Sequence, residues 1–322
     1  MLKRRSQLLQ QLRAFFYARK VVEVDVPILS PYATPDAHLD SLQTTVELPG
    51  MGVPQNGFLH TSPEYPLKRL LAEGAGDLFY LGKVFRNGDH SSRHQPEFTM
   101  LEWYRLGFEL SDLIDETVDL CQAVLAQTAP LPVEVVTYQS LFQKVVGIEN
   151  IHQASAATCQ AAYQQLGLPE VMGVAVDDKV LWEQLLLTEA IEPHLGWTEN
   201  GERQITCVVE FPKHIASLAQ PVKGQPDLVQ RVEVYIEGIE LANGYFELQQ
   251  AEDYQAVFEQ ELAERKKLSK SPVPIDIQLL ETLKQHPLPK CSGIALGVDR
   301  LLMLQQGVKE IAQVMPFILE GE

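Results

Sequence analysis

Arg86, Asn87, Asp89, His90, Arg93 and His94 crowd into nine residues that hold a single glycine, Gly88. Phe79–Phe85 before them is short, apolar and aromatic, and Phe98–Tyr104 after them alternates with Thr and Glu, so both flanks read as half-buried strands. An ordinary hairpin uses about two to five loop residues, and a longer polar loop usually has a task. The plain alternative is a solvated loop that carries charge by chance.

A second concentration lies at Glu240–Glu247, E-L-A-N-G-Y-F-E. If Asn243-Gly244 makes a two-residue hairpin turn, Glu240 faces Glu247 on one side of a sheet. Two opposed carboxylates repel unless a cation lies near them. Magnesium carried with ATP phosphates, or an ammonium group, would supply it. A solvated hairpin edge with both acids in water is the alternative. The third concentration is Gly293-Ile-Ala-Leu-Gly-Val-Asp-Arg300, whose glycines at 293 and 297 let backbone approach a flat ligand.

The elements that must position these groups follow from periodicity. Leu8, Leu12 and Phe16, with Leu9 and Phe15, predict an amphipathic helix over Lys3–Arg19. Val21–Val26 alternates up to Pro27 and predicts a strand. Thr44–Leu48 and Phe58–Thr61 predict short strands. Ser62 then reads as the N-cap of a helix with Pro63 at its first position and Glu64 in its first turn, stopping at Gly74. Residues 111 to about 197 read as mostly helical, with helices at Thr137–Val146, Ala154–Leu166 and Lys179–Ala190. Strands are expected at Ile205–Glu210 and Arg231–Ile236. Helices are expected at Ala251–Lys267, from Asp276 to about Gln285, and at Leu301–Gln305.

Composition bounds the class. The chain has 322 residues, 45% of them hydrophobic, enough for a sizeable core in one large or two ordinary domains. Lys+Arg 26 against Asp+Glu 43 gives −17, which disfavours binding nucleic acid or anionic membrane through bulk charge. Cys121, Cys159, Cys207 and Cys291 stand in no metal spacing, so reduced thiols are expected. With no signal-peptide core and no apolar run of about 18 residues, a cytoplasmic protein without a membrane partner is expected. Two decoys fall away. Gly76-x5-Gly82-Lys83 is one residue too long for a phosphate loop and has no following Ser or Thr. Lys267-Leu-Ser-Lys-Ser271 reads as a plain loop.

The stretch 79–104 resembles motif 2 of class II aminoacyl-tRNA synthetases, and Arg93-His-Gln-Pro-Glu-Phe-Thr99 is similar to its lysyl-tRNA synthetase version. Residues 293–300 match motif 3 strongly. The opening helix and the strand to Pro27 resemble motif 1, and Ser62-Pro-Glu-Tyr-Pro-Leu-Lys-Arg-Leu-Leu71 is similar to a run beside the amino-acid pocket. The resemblance implies an α+β fold, an antiparallel sheet flanked by helices, with residues 1–322 one catalytic domain carrying a mainly helical insertion at about 111–200. Because the chain starts at the motif 1 helix, no anticodon-binding domain is expected.

What the resemblance implies for the site is an ATP-using, AMP-forming ligase. Arg86 and Arg300 are the catalytic arginines. Arg86 would hold the α-phosphate and Phe98 would stack on adenine, with Asn87, Gly88, Arg93, His94 and Gln95 from the loop. Glu240, Leu241 and Gly297 would complete the ATP site. Guanidinium forks suit phosphate oxygens, and an aromatic face accepts a base. Ser62, Pro63, Glu64, Tyr104 and Glu247 are candidates for the amino-acid substrate, and Glu240 and Glu247 for Mg2+. Gly88 stands where the family often has the adenine-contacting glutamate, and Gln95 replaces the usual asparagine, so Asp89 becomes the substitute.

A lysyl-tRNA synthetase core without its tRNA-reading domain is the layout of the elongation factor P–(R)-β-lysine ligase family. That family implies adenylation of (R)-β-lysine and transfer to a lysine of elongation factor P by a homodimer, with tRNA disfavoured as acceptor. Ala295, where lysyl-tRNA synthetases usually show glycine and these ligases show alanine, agrees with it. A free-standing lysine-activating enzyme with another acceptor is the first rival. A non-catalytic regulator is the second, and it predicts lost phosphate arginines, yet Arg86 and Arg300 are both present.

Overall fold

Leu8, Leu12 and Phe16 recur every four residues, and α1 (Leu2–Ala18) turns that stripe fully inward. Burying each side chain stabilises by about 2 kcal/mol. Phe16 stacks on Phe79 at 4.8 Å between ring centroids and tilts against Trp103 at 5.2 Å. The helix thereby covers one face of the strand pair β5 (Leu78–Phe85) and β6 (Glu97–Leu106), leaving the other face for the site. The computed structural model describes residues 1–47, 49–50, 53–126, 129–171, 173–215 and 218–319. Two compact units emerge, Met1–Leu113 with Phe246–Glu322, and Ile114–Tyr245.

In the first unit the sheet runs β1 (Val22–Glu23), β5, β6 and β12 (Cys291–Gly297). Only β1 to β5 is parallel; β5–β6 and β6–β12 are antiparallel. A small sheet of β2 (Leu29–Ser30), β3 (Gln43–Val46) and β4 (Gln55–Leu59) stands apart from it. The helices are α2 (Glu64–Ala72), α7 (Ala251–Lys267), α8 (Ile277–Gln285) and α9 (Val298–Gln306). Several boundaries differ from expectation. The first strand shrinks to Val22–Glu23 and the fourth ends at Leu59. The helix after Gly297 starts at Val298, so Arg300 lies in its first turn. Leu48, where the third strand was expected to end, lies outside the described residues.

In the second unit β11 (Ile239–Phe246), β10 (Gln225–Ile236), β8 (Ile205–Pro212) and β7 (Val133–Thr137) follow in order, with β9 (Pro221–Val222) on β10. Helices α4 (Tyr138–Leu141), α5 (Ala156–Gln165) and α6 (Lys179–Leu186) enclose a core of Tyr138, Phe142, Trp182, Leu186 and Phe211. Helix α3 (Leu110–Leu125) precedes β7 in the chain. The helical reading of this region misses β7, whose Val-Glu-Val-Val-Thr is β-branched and pairs in parallel with β8.

The expected hairpin turn at Asn243-Gly244 is wrong. Those residues lie inside β11, opposite Glu233 and Val232. The turn sits at Glu237-Gly238, where both residues have positive φ, +54° and +66°. A two-residue turn of this hand requires that conformation twice, so Gly238 decides the position. Glu240 and Glu247 therefore do not face each other; β11 runs straight from one toward the other. Among the described residues no helix is long and apolar enough to cross a membrane.

Candidate active site

Side chains of a strand alternate between faces. On β6 the odd positions Thr99, Leu101 and Trp103 belong to the α1 side, and the even positions Phe98, Met100, Glu102 and Tyr104 line the open face. Register places Gly293, Ala295 and Gly297 of β12 opposite Tyr104, Glu102 and Met100. The face next to the β6 side chains is thus kept low by two glycines and an alanine. At Gly293 a Cβ would strike the Tyr104 ring and lie 2.9 Å from Glu247 Oε1, so only glycine fits. At Gly297 the protein makes no such demand: φ is −77°, and an added Cβ would meet only the Arg300 side chain at 3.6 Å.

At the Tyr104 end, carboxylates gather. Tyr104 OH donates to Glu102 Oε1 at 2.8 Å, and Ser62 Oγ donates to Glu102 Oε2 at 2.6 Å. Ser62 Oγ also accepts the Glu64 N–H at 3.0 Å, while the N-cap position itself is Pro63, one residue later than expected. Lys68, four residues after Glu64 and fully buried, places Nζ 2.6 Å from Glu64 Oε1 and 2.7 Å from Glu247 Oε2. The Glu247 contact is an ion pair without hydrogen-bond geometry on that oxygen. Tyr254 of α7 presents its ring 5.1 Å from the same ammonium.

Three acids thus share one resident cation in a buried place. Burial, with Glu64 adding repulsion, pushes the Glu102 carboxyl up to about 7. Burial pushes Glu247 up to about 8, against the pull of Lys68. Lys68 itself is held charged, well above its ordinary range, by Glu247 and Glu64, which outweigh its desolvation. Fully ionised, the cluster carries a surplus of negative charge, which suits an ammonium-bearing guest.

At the Phe98 end, guanidinium groups gather. Arg86 lies 5.1 Å over the Phe98 ring, and its backbone N–H donates to Pro96 O at 2.9 Å, closing the base of the loop. Arg300 Nη2 meets His94 Nε2 at 2.5 Å, and His94 Nδ1 meets Ser91 Oγ at 2.7 Å. Arginine can only donate, so His94 Nε2 accepts and its proton sits on Nδ1. Asp299, beside Arg300, accepts the Thr99 N–H at 2.6 Å and pairs with Arg5 of α1 at 2.5 Å. Gln95 is buried, whereas Asn87, Gly88 and Arg93 sit exposed on the loop, where the Asn87 N–H donates to Asp40 O at 2.8 Å. Asp40 in turn pairs with Arg265 and Lys270, both at 2.9 Å, so Lys270 of the rejected decoy serves structure.

The structure therefore joins Ser62, Glu64, Tyr104 and Glu247 through Lys68 and Glu102, and it groups Arg86 with Phe98 and Arg300 with His94. Pro63 is buried at the head of α2. Glu240 and Leu241 lie on β11 in the second unit; there Glu240 pairs in register with Tyr235 and adds negative charge beside Glu233 and Arg231. Sequence reasoning missed Lys68, Glu102, Arg5 and Asp299. The Glu64–Lys68 spacing of four on a helix, and the Glu102–Tyr104 spacing of two on a strand, were the available signals.

Comparison with known proteins gives one family. The model described as tRNA synthetases class II (D, K and N) matches residues 1–320. The chain is 40% identical over 319 residues to the elongation factor P–(R)-β-lysine ligase of Vibrio vulnificus strain YJ016. It is 40% identical to proteins of the same name from Vibrio atlanticus strain LGP32, over 316 residues, and Salmonella paratyphi B, over 317. Each alignment covers 98% of this chain and 94% of the relative.

Proposed function

The chain belongs to the class II tRNA synthetase family of the D, K and N type, and from that premise we propose that it adenylates (R)-β-lysine with ATP and transfers the β-lysyl group to a lysine of elongation factor P. The observation that carries the reading is the even face of β6. Phe98 stands at one end beside Arg86, and Glu102 and Tyr104 at the other, about 20 Å away at the strand's rise per residue. A nucleotide fits the first end and a doubly cationic amino acid the second, with the reacting carboxylate and α-phosphate between them.

In the first step a carboxylate oxygen of the substrate attacks the α-phosphorus and pyrophosphate leaves. Arg86 and Arg300 neutralise the phosphate charge, and Phe98 carries the adenine. In the second step the acceptor amine attacks the acyl carbon, AMP leaves, and the amine's proton passes to solvent. No protein nucleophile is required, because orientation and charge stabilisation carry both steps. Ser62, Pro63, Glu64, Tyr104 and Glu247 position the ammonium groups.

Magnesium entering with ATP needs only one or two carboxylates, since phosphate oxygens and water complete its shell. Among the described residues no group of three potential ligands lies close enough to hold a metal alone. Glu247 is engaged by Lys68 and fits the ammonium role; the Mg2+ role proposed for Glu240 comes from the family resemblance. The same proposal reads residues 1–322 as one catalytic domain with a mainly helical insertion at about 111–200, working as a cytoplasmic homodimer.

The decisive test is pyrophosphate exchange with α-lysine and both β-lysine enantiomers, followed by intact-mass measurement of purified elongation factor P. A gain of one lysyl unit on the protein is expected; label on tRNA instead overturns the reading. The pH profile gives a second check. Ammonium groups need ionised acids, and Glu102 and Glu247 lose their protons near 7 and 8. The apparent KM for the diamino acid should fall as pH rises through this window, while the KM for ATP stays nearly flat. A profile flat for both substrates contradicts the role given to these acids.

A further inference from the structure

The planar peptide that joins Arg86 to Asn87 is held by Asp40, whose carbonyl oxygen accepts the Asn87 N–H at 2.8 Å. That N–H lies in one plane with the Arg86 Cα, so the contact sets the backbone direction from which the Arg86 side chain departs. Asp40 is itself pinned from two sides. Its Oδ1 accepts from Arg265 Nη2 and its Oδ2 from Lys270 Nζ, both at 2.9 Å. Arg265, in the last turn of α7, is 5% exposed. It also donates from Nη1 to Asp36 O at 2.8 Å and Leu39 O at 3.3 Å, and from Nε to Ser271 O at 3.3 Å. Ser269 precedes Lys270 with φ +56°, a left-handed conformation that is uncommon outside glycine. That turn brings the Lys270 N–H onto Arg265 O at 2.9 Å and aims both cations at one carboxylate. Burial works against the Asp40 charge, yet Lys270 and Arg265 outweigh it and hold the carboxyl below its ordinary range.

Resting on the function proposed above, we propose that Asp40, clamped by Arg265 and Lys270, is a positioning residue that presets Arg86 for the α-phosphate of ATP. Tying residues 31–42 to the protein does not by itself call for this clamp. The Ala33 N–H already donates to Pro274 O at 2.9 Å, and the Ala37 N–H to Glu261 Oε2 of α7 at 3.0 Å. What the two cations add is a fixed place for Asp40, and through its carbonyl a fixed peptide behind Arg86. An arginine ordered in advance needs no reorganisation as charge develops on the phosphate. The run Lys267–Ser271 thus serves the nucleotide at one remove, through the lysine that its turn points at Asp40.

The test is a double-mutant cycle in the full-length protein, Asp40→Ala crossed with Arg86→Ala, read as kcat/KM for ATP in pyrophosphate exchange. Melting curves come first. Lys270→Met, which removes one of the two cations from a partly exposed position, takes the place of Asp40→Ala if that variant does not fold. With Arg86 present, Asp40→Ala should lower kcat/KM for ATP about tenfold and Lys270→Met about threefold, while the KM for the diamino acid stays within about twofold of wild type. With Arg86→Ala in the background, neither change should cost more than about twofold, because no guanidinium is left to position. Arg86→Lys supplies the background if exchange by Arg86→Ala is too slow to read, and there the loss should still shrink. General damage behaves otherwise, adding the same factor in both backgrounds and raising the KM for both substrates. An equal loss in both backgrounds, no loss in either, or a matching rise in the KM for the diamino acid overturns the inference and makes the clamp merely structural. Absence of exchange with every diamino acid in the unmutated protein is a different result: it removes the functional reading, and this inference with it.

Discussion

Replacing Arg86 by alanine should lower kcat/KM for ATP in pyrophosphate exchange by roughly 10²–10³-fold in a variant whose melting curve shows it folded. The side chain is half-buried, and one of its contacts is with the Phe98 ring at 5.1 Å, worth about 1 kcal/mol or less to the fold. Its proposed work lies in the transition state, where charge builds on the phosphate it faces. Arg86→Lys keeps the charge and loses the fork, so a loss of roughly tenfold to a hundredfold is expected. Arg300→Ala should match Arg86→Ala. His94→Ala should cost less, because His94 accepts from Arg300 and carries no guanidinium fork of its own. Exchange by Arg86→Ala within tenfold of wild type would remove the arginine from the chemistry.

Strong local periodicity made much of this fold readable. The stripe of α1 and the alternation of β6 each announce their element, and the observed ranges agree within about two residues, whereas the run Gly293–Arg300 gave no sign that its first half is the strand β12. What failed was decided by conformation or partners that a sequence does not print. Asn243-Gly244 is a strong turn signal, yet Glu237-Gly238 takes the turn because β10 continues to Ile236 and pairs with Ile239. The strand β7 needed its parallel partner β8, more than sixty residues later, to be recognised. Within the site, Ser62, Glu64, Tyr104 and Glu247 were picked out singly. Lys68 and Glu102, which tie them together, carry no local mark that sets them apart from any helix lysine or strand acid; their burial does that. The Arg5–Asp299–Thr99 link, which anchors the start of α9 beneath Arg300, spans nearly the whole chain and leaves no local signature.

Glu102→Gln should stabilise the fold at pH 8 and, at the same time, cripple use of the diamino acid. The carboxyl is 3% exposed and lifted from 4.5 to about 7, burial being the first cause and Glu64 the second. An acid whose folded value is raised holds its proton more tightly in the native state. The stability this gives is complete below the unfolded value near 4.5 and is lost as pH rises through about 7. At pH 8 the ionised, buried Glu102 therefore costs on the order of 2 kcal/mol relative to a neutral group of the same shape. Glutamine keeps one acceptor oxygen, for Tyr104, turns its amide to donate to Ser62 Oγ, and sheds the ionisation cost, so denaturation at pH 8 should show a gain of about 1–2 kcal/mol that vanishes by pH 5. The same substitution deletes one negative charge from a pocket built to hold ammonium groups without water. Charge-assisted contacts there are worth about 1.5–3 kcal/mol, so the KM for the diamino acid should rise roughly tenfold to a hundredfold while the KM for ATP holds. Stability and binding must move in opposite directions for the account of Glu102 to stand. A variant that loses both together shows the carboxylate to be a structural member of the hydrogen-bond network with Ser62 and Tyr104, and one that loses neither shows that the substrate amine is held elsewhere.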